Sequence, residues 1–377
     1  MENYMFLYLN TGGGHKSTAK SVAEKMIAEK PGLLNITLTD GLINANRLAK
    51  YVLEDGYRKS VNQALWVFEM LYAVHKIHFI AKTTASLVSK LIKPGLEDEI
   101  ILKQPDKIVI FHFFLVQPVK EILKKHGLKI PCIITVTDPF TAHPIWFLHK
   151  EQNYLVFSEE LKEKCIKNGI REKNLKVLPF PLNAKFLPEK NNLNMGDQKL
   201  NLGFAPQLKL ILILGGGDGM PHGMKILKNI SEKNMEAEIA MVCGRNEKLY
   251  KKAMKYKKTH NANNLKIYGF IDFVHDLIGI SDIVITKCGP STIMEILMMG
   301  KVPVINNYIW EQEKGNMEFV CRQKMGILEK RIQRLAGLIE SLLFDKNAYN
   351  TLKNNILNAS LKNGVGQVSE YILNYRP

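Results

Sequence analysis

The chain is 377 residues long and 46% hydrophobic, enough for two hydrophobic cores rather than one. Its 52 Lys and Arg against 36 Asp and Glu leave a formal charge of +16, which calls for an anionic partner: nucleic acid, a phosphorylated ligand or an acidic membrane. No apolar run reaches the roughly 18 residues that cross a bilayer, and five cysteines without a C-x-x-C pair read as reduced thiols of a cytosolic protein; a membrane-spanning helix and a disulfide scaffold are both set aside.

In chain order, residues 4–10 follow Met1 as a buried strand with no basic leader or A-x-A site, so a signal peptide is not expected. Further strands are expected at 34–39, 106–111, 131–137, 153–157 and 175–179, then at 208–214, 238–243, 265–268, 282–286 and 302–306. Amphipathic segments separate them, the pattern of β-α-β units in parallel sheets. Residues 186–207 are rich in Asn, Lys, Pro and Gly and read as a linker. It divides an α/β domain at 1–185 from a second at 208–377, with the last helix a candidate to pack back on the first.

Each domain opens with a strand, a glycine cluster and a helix, the arrangement that offers backbone N–H groups to a ligand at strand carboxyl ends. In the first, Gly12, Gly13 and Gly14 precede His15, whose imidazole could remove a proton near neutral pH. The motif alone reads equally as a tight turn with a solvent-facing His. After the run 133–136 come Asp138, His143 and Trp146, a functional loop or a rigid turn built on Pro139 and Pro144. In the second domain, Gly216, Gly217 and Asp218 follow an apolar strand, but the spacing fits neither a dinucleotide fingerprint nor a Walker A loop.

The block from 268 to 316 is the most informative. Gly289, Ser291 and Thr292 stand at a helix start after a strand and can hold a phosphate. Glu295, one turn on, is placed to accept from a ribose diol, while Gln312 and Glu313 offer the donors and acceptors that sugar hydroxyls need. Read singly, Ser291 is an N-cap and 311–316 a charged loop.

Gly12 to His15, Asp138 with His143-Pro144 and Trp146, Gly215 to Met220, Cys243 to Asn246, Gly269-Phe270, Thr286-Lys287 with Gly289 to Thr292, and Gln312-Glu313 with Gly315-Asn316 together resemble the monogalactosyldiacylglycerol synthase family. They occur in family order from residue 11 to 316. The resemblance extends to processive diacylglycerol glucosyltransferases and the peptidoglycan N-acetylglucosaminyltransferase. It implies an α/β GT-B fold, two Rossmann-like doubly wound domains facing across an interdomain cleft, with acceptor and membrane contact on the first and UDP-sugar on the second. It also implies an inverting transfer of a hexose from a UDP-hexose to 1,2-diacylglycerol, giving a β-glycosyldiacylglycerol. No cofactor or metal is expected, and the chain has no Asp-x-Asp pair.

The resemblance implies His15 as base with Asp138 second. Gly12, Gly13, Gly14, His143 and Trp146 would lie toward the acceptor. Donor contacts fall to Gly216, Gly217, Asp218, Arg245, Asn246, Phe270, Lys287, Gly289, Ser291, Thr292, Glu295, Gln312, Glu313 and Asn316. His143-Pro144-x-Trp146 and Cys243 to Asn246 favour galactose; glucose is the alternative, and Asp218 and Trp310 depart from the family pattern. A UDP-sugar 2-epimerase on the same fold is a rival, and so is a non-enzymatic basic membrane or nucleic-acid binder.

Residues 47–93 mix Arg47, Lys50, Arg58, Lys59, Lys76, Lys82, Lys90 and Lys93 with Trp66, Phe68, Leu71, Tyr72 and Phe79. That mixture suits an anionic bilayer surface, although two packed amphipathic helices would read alike. The expected place is the cytoplasm, peripheral on the inner face of the cell membrane, without nucleic acid as partner. The lysine run 248–258 reads as a solvated helix face.

Overall fold

The computed structural model describes residues 1–11, 13–45, 47–56, 65–186 and 194–376; Gly12, Arg58, Lys59 and part of the expected linker fall outside them. The chain forms two compact units. Unit 1 comprises 1–184, 310–312 and 363–377, and unit 2 comprises 185–309 and 313–362.

Unit 1 is built on a six-stranded parallel sheet in the order β2-β1-β3-β4-β5-β6. Its strands are β1 (Glu2–Tyr8), β2 (Leu34–Asp40), β3 (Lys107–Ile110), β4 (Cys132–Thr135), β5 (Tyr154–Val156) and β6 (Leu175–Val177). The central strands are apolar on both faces because helices cover both, which is why they read as continuous hydrophobic runs. One core joins Met5, Leu7, Ile108 and Ile110 of the sheet to Ile92, Leu96 and Ile100 of the helix His78–Lys103. The last helix, Val365–Asn374, packs on the helix Gly14–Glu29. There the buried Lys107 ammonium caps the carbonyls of Ile372 (2.5 Å) and Leu373, satisfying groups that a helix end leaves open.

Unit 2 carries β7 (Lys209–Leu214), β8 (Ala237–Val242), β9 (Leu265–Tyr268), β10 (Ile283–Lys287), β11 (Val302–Asn307) and β12 (Ile327–Leu328). All pair in parallel, in the order β12-β11-β10-β7-β8-β9. β12, two residues long, carries too short a pattern for sequence to signal. The supposed linker belongs to unit 2 and contains the helix Met195–Asn201, capped by the Asn194 side chain accepting from the Asp197 N–H. Lys199 of that helix is buried, donating to the Leu208 carbonyl at 2.6 Å and pairing with Asp282 at 3.4 Å.

In each sheet the chain leaves one strand toward opposite sides, at β1 and β3 in unit 1 and at β7 and β10 in unit 2. Ligands of doubly wound sheets bind outside the strand carboxyl ends at that reversal. Gly13 and Gly14 of the first glycine cluster sit there, as does the second cluster.

Candidate functional site

In unit 1 the chain leaves β1 through Gly13, whose φ of +80° only glycine adopts without strain, and enters the helix Gly14–Glu29. His15 lies in its first turn. Its Nδ1 is 2.7 Å from Thr137 Oγ1, just beyond β4, and its ring meets the His112 ring edge-on, with centroids 4.7 Å apart. Burial pushes the His15 pKa down to about 4 against a smaller opposite effect of the Phe111 carbonyl, so the ring is neutral at pH 7. It still keeps some solvent contact. His112, buried at the end of β3, accepts the Phe114 N–H on Nδ1 at 3.2 Å, so its own proton is on Nε2; burial, and His15 second, hold its pKa well below the ordinary value.

Behind His15 the loop after β4 is pinned by its own side chains. Trp146, fully buried, donates its indole N–H to Asp138 Oδ2 at 3.0 Å. His143 accepts the Ile145 N–H on Nδ1 at 3.1 Å, which puts its proton on Nε2, and donates it to the Tyr72 carbonyl at 2.9 Å. Both its nitrogens are occupied, and burial lowers its pKa to about 4. His143 and Trp146 therefore do not line the site as expected. They hold the helix Leu65–Val74 and the Asp138 carboxylate in place, and Asp138 serves the scaffold with at least one oxygen.

In unit 2, β7 is followed by Gly215, where a side chain would run into the Met220 backbone at 2.3–2.4 Å. The tight loop brings Gly216 beside the start of the helix Pro290–Met298: a Cβ on Gly216 would lie 3.7 Å from Thr292 Oγ1. Gly289 is the N-cap and Pro290 the first helical residue, leaving the following amides and the Ser291 and Thr292 hydroxyls to meet an anion. After β8, the Arg245 guanidinium stacks at 5.0 Å on Phe270, which is 64% exposed. An exposed aromatic face backed by a cation is a shelf for a planar ring. Glu295 is half-buried with its pKa raised to about 7 by desolvation alone.

Three residues expected as donor contacts have partners within the scaffold. Asn246 caps the helix Glu247–Thr259, accepting the Leu249 N–H at 2.9 Å and donating to the Asp218 carbonyl at 3.4 Å. Asn316 is buried and donates to the Cys288 carbonyl at 2.9 Å, supporting the Gly289 turn from beneath. Glu313, 3% exposed, accepts from Lys287 Nζ at 2.6 Å and from the Ile309 N–H at 2.7 Å, so both oxygens are committed. Gln312 counts with unit 1. Sequence reading missed His112 and passed over Thr137; a polar residue closing a buried strand beside the chain reversal was the available signal.

Two doubly wound parallel sheets, each with a glycine-rich loop at its reversal point, define a GT-B glycosyltransferase fold. HepE of Anabaena, solved in complex with UDP-glucose, shares it at a TM-score of 0.56 and 14% identity, covering 99% of this chain and 98% of that one. Residues 15–182 match the model of monogalactosyldiacylglycerol (MGDG) synthase and residues 210–364 that of the glycosyltransferase family 28 C-terminal domain. The processive diacylglycerol β-glucosyltransferase of Bacillus subtilis is 26% identical over 98% of this chain and 94% of its own length. Monogalactosyldiacylglycerol synthase 1 of Arabidopsis thaliana is 27% identical over 89% of this chain and 63% of its length. The chain belongs to the monogalactosyldiacylglycerol synthase family of diacylglycerol glycosyltransferases.

Proposed function

We propose that this protein transfers a hexose, glucose or galactose, from a UDP-hexose to the free hydroxyl of 1,2-diacylglycerol with inversion. The observation that carries the reading is a neutral imidazole, His15, at the reversal point of the first sheet. His15 takes the hydroxyl proton as the lipid oxygen bonds to the anomeric carbon. The bond from that carbon to the diphosphate oxygen breaks, and UDP leaves with its electron pair. Negative charge growing on the diphosphate is met by the amides and hydroxyls at Gly289 to Thr292. The uracil stacks at Phe270 and Arg245, and Glu295 accepts from the ribose. Two residues that favoured galactose, His143 and Asn246, hold the scaffold, so the donor sugar is not read from them.

The lipid acceptor resides in a bilayer, and no helix among the described residues is long and apolar enough to cross one. We place the docking face on unit 1, where Trp66, Met70, Leu71, Ile77 and Phe79 are 45–76% exposed. Beside them lies a groove of about 350 Å³ whose lining includes His78, Lys82, Lys124 and Glu121, with Lys120 of the same groove tied to Glu151. Apolar side chains to enter the interface and ammonium groups to meet lipid phosphates are what a peripheral, inner-face enzyme needs. Incubation with radiolabelled UDP-glucose or UDP-galactose and diacylglycerol vesicles tests the proposal. Lipid-dependent label in the organic phase is expected with at least one donor. Epimerised UDP-sugar formed without lipid, or no transfer from either donor, would refute it.

A further inference from the structure

We propose that Thr137 is the positioning residue of the base: its hydroxyl accepts the His15 Nδ1 proton and so leaves the bare Nε2 as the nitrogen that takes the acceptor's proton. The inference rests on the transfer reaction proposed above. A neutral imidazole has one N–H and one lone pair, and its two tautomers present opposite edges to a substrate. Thr137 Oγ1 sits 2.7 Å from Nδ1; the residue is 3% exposed and lies two positions beyond β4, next to Val136, whose N–H is still held by the Leu155 carbonyl at 2.9 Å. His15 is the second residue of its helix, whose N-cap, Gly13, carries no side chain. His112 packs against one side of the ring without a hydrogen bond to it. The Phe111 backbone carbonyl also meets the ring and favours its protonated form; Thr137 is the side chain that reaches Nδ1, and so the side chain that can choose between the tautomers.

Acceptance by Thr137 also favours the imidazolium formed once the proton arrives, because Nδ1–H persists in both states. That assistance is needed here, since burial holds the ring's basicity below its ordinary value. Loss of the hydroxyl should therefore weaken the base and let the ring turn, without touching the donor subsite on the other sheet.

The test compares Thr137→Val, nearly isosteric but without a hydroxyl, with Thr137→Ser. For Thr137→Val, kcat should fall by about tenfold or more, KM for the UDP-hexose should hold, and the acid limb of the kcat profile should move to lower pH. Thr137→Ser should restore most of the loss. A folded Thr137→Val protein with kcat unchanged or raised overturns the proposal, since a hydroxyl that donated to Nδ1 would have been masking the base. The second measurement does not depend on turnover: ¹⁵N spectra of histidine-labelled protein, assigned with a His15→Gln variant. At pH 7 they should show His15 Nδ1 protonated and Nε2 bare, and that preference should vanish in Thr137→Val. The reverse tautomer in the unsubstituted protein refutes the Thr137 role, whereas the expected tautomer in a protein that transfers no hexose refutes the reaction and not the positioning.

Discussion

Affinity for a UDP-hexose should rise about tenfold between pH 6 and pH 8, and Glu295 should be the reason. Its carboxyl is half-buried one turn into the helix Pro290–Met298, and desolvation raises its pKa to about 7. A ribose diol donates hydrogen bonds, so it favours the carboxylate over the acid. With a pKa near 7, about a tenth of the free protein holds the carboxylate at pH 6 and about nine-tenths at pH 8. Apparent affinity scales with that fraction, which gives the tenfold change, about 1.4 kcal/mol. The diphosphate of a UDP-hexose has no proton to lose in this interval, so the ligand adds no slope of its own. Stability of the free protein runs the opposite way. A carboxyl raised in the folded state imposes no penalty below its unfolded value near 4.5, and the penalty grows as pH climbs to about 7. Glu295→Gln should therefore flatten the binding profile and, without ligand, melt at a higher temperature than the unsubstituted protein at pH 8. Calorimetric titrations at pH 6, 7 and 8 with both proteins provide the check. Equal affinities at pH 6 and 8, or the same slope in Glu295→Gln, would refute the assignment of this carboxyl to the ribose.

His15→Ala should cut turnover roughly 10²–10⁴-fold while leaving UDP binding within experimental error, as steady-state kinetics beside UDP titration would show. Glu313→Ala strands the half-buried Lys287 ammonium and leaves the Ile309 N–H without its acceptor, so unit 2 should lose about 3 kcal/mol, read from denaturant melts; a change under about 0.5 kcal/mol would contradict the buried pair. Lys82, Lys90 and Lys124 are exposed, whereas Lys93 pairs with Glu121 at 3.3 Å. Reversing the first three to Glu should lower sedimentation with anionic vesicles in a salt-sensitive way, and Phe79→Ala should remove a salt-insensitive part. Vesicle binding unaltered by either change would place the docking face elsewhere.

Strand positions and the two glycine clusters were legible in the sequence because their causes are local. A buried parallel strand needs an unbroken apolar run such as Leu210 to Leu214, and a ligand loop at its end needs residues as small as Gly215. The same locality marked His15 and the helix start at Gly289. Which polar side chains face a ligand and which hold the scaffold was decided by partners distant in the chain. Glu313 meets Lys287 26 residues away, His143 meets Tyr72 71 residues away, and Thr137 meets His15 122 residues away. Buried polar groups must be paired, and a one-dimensional pattern does not say with what. Charge raised the membrane hypothesis, but only packing separates Lys93, tied to Glu121, from Lys82 and Lys90 in solvent. Sheet order, too, is tertiary: the reversals at β1 and β7 bring His15 beside Thr137 and Gly216 beside Thr292, because hydrogen-bonded neighbours in a sheet need not be neighbours in sequence.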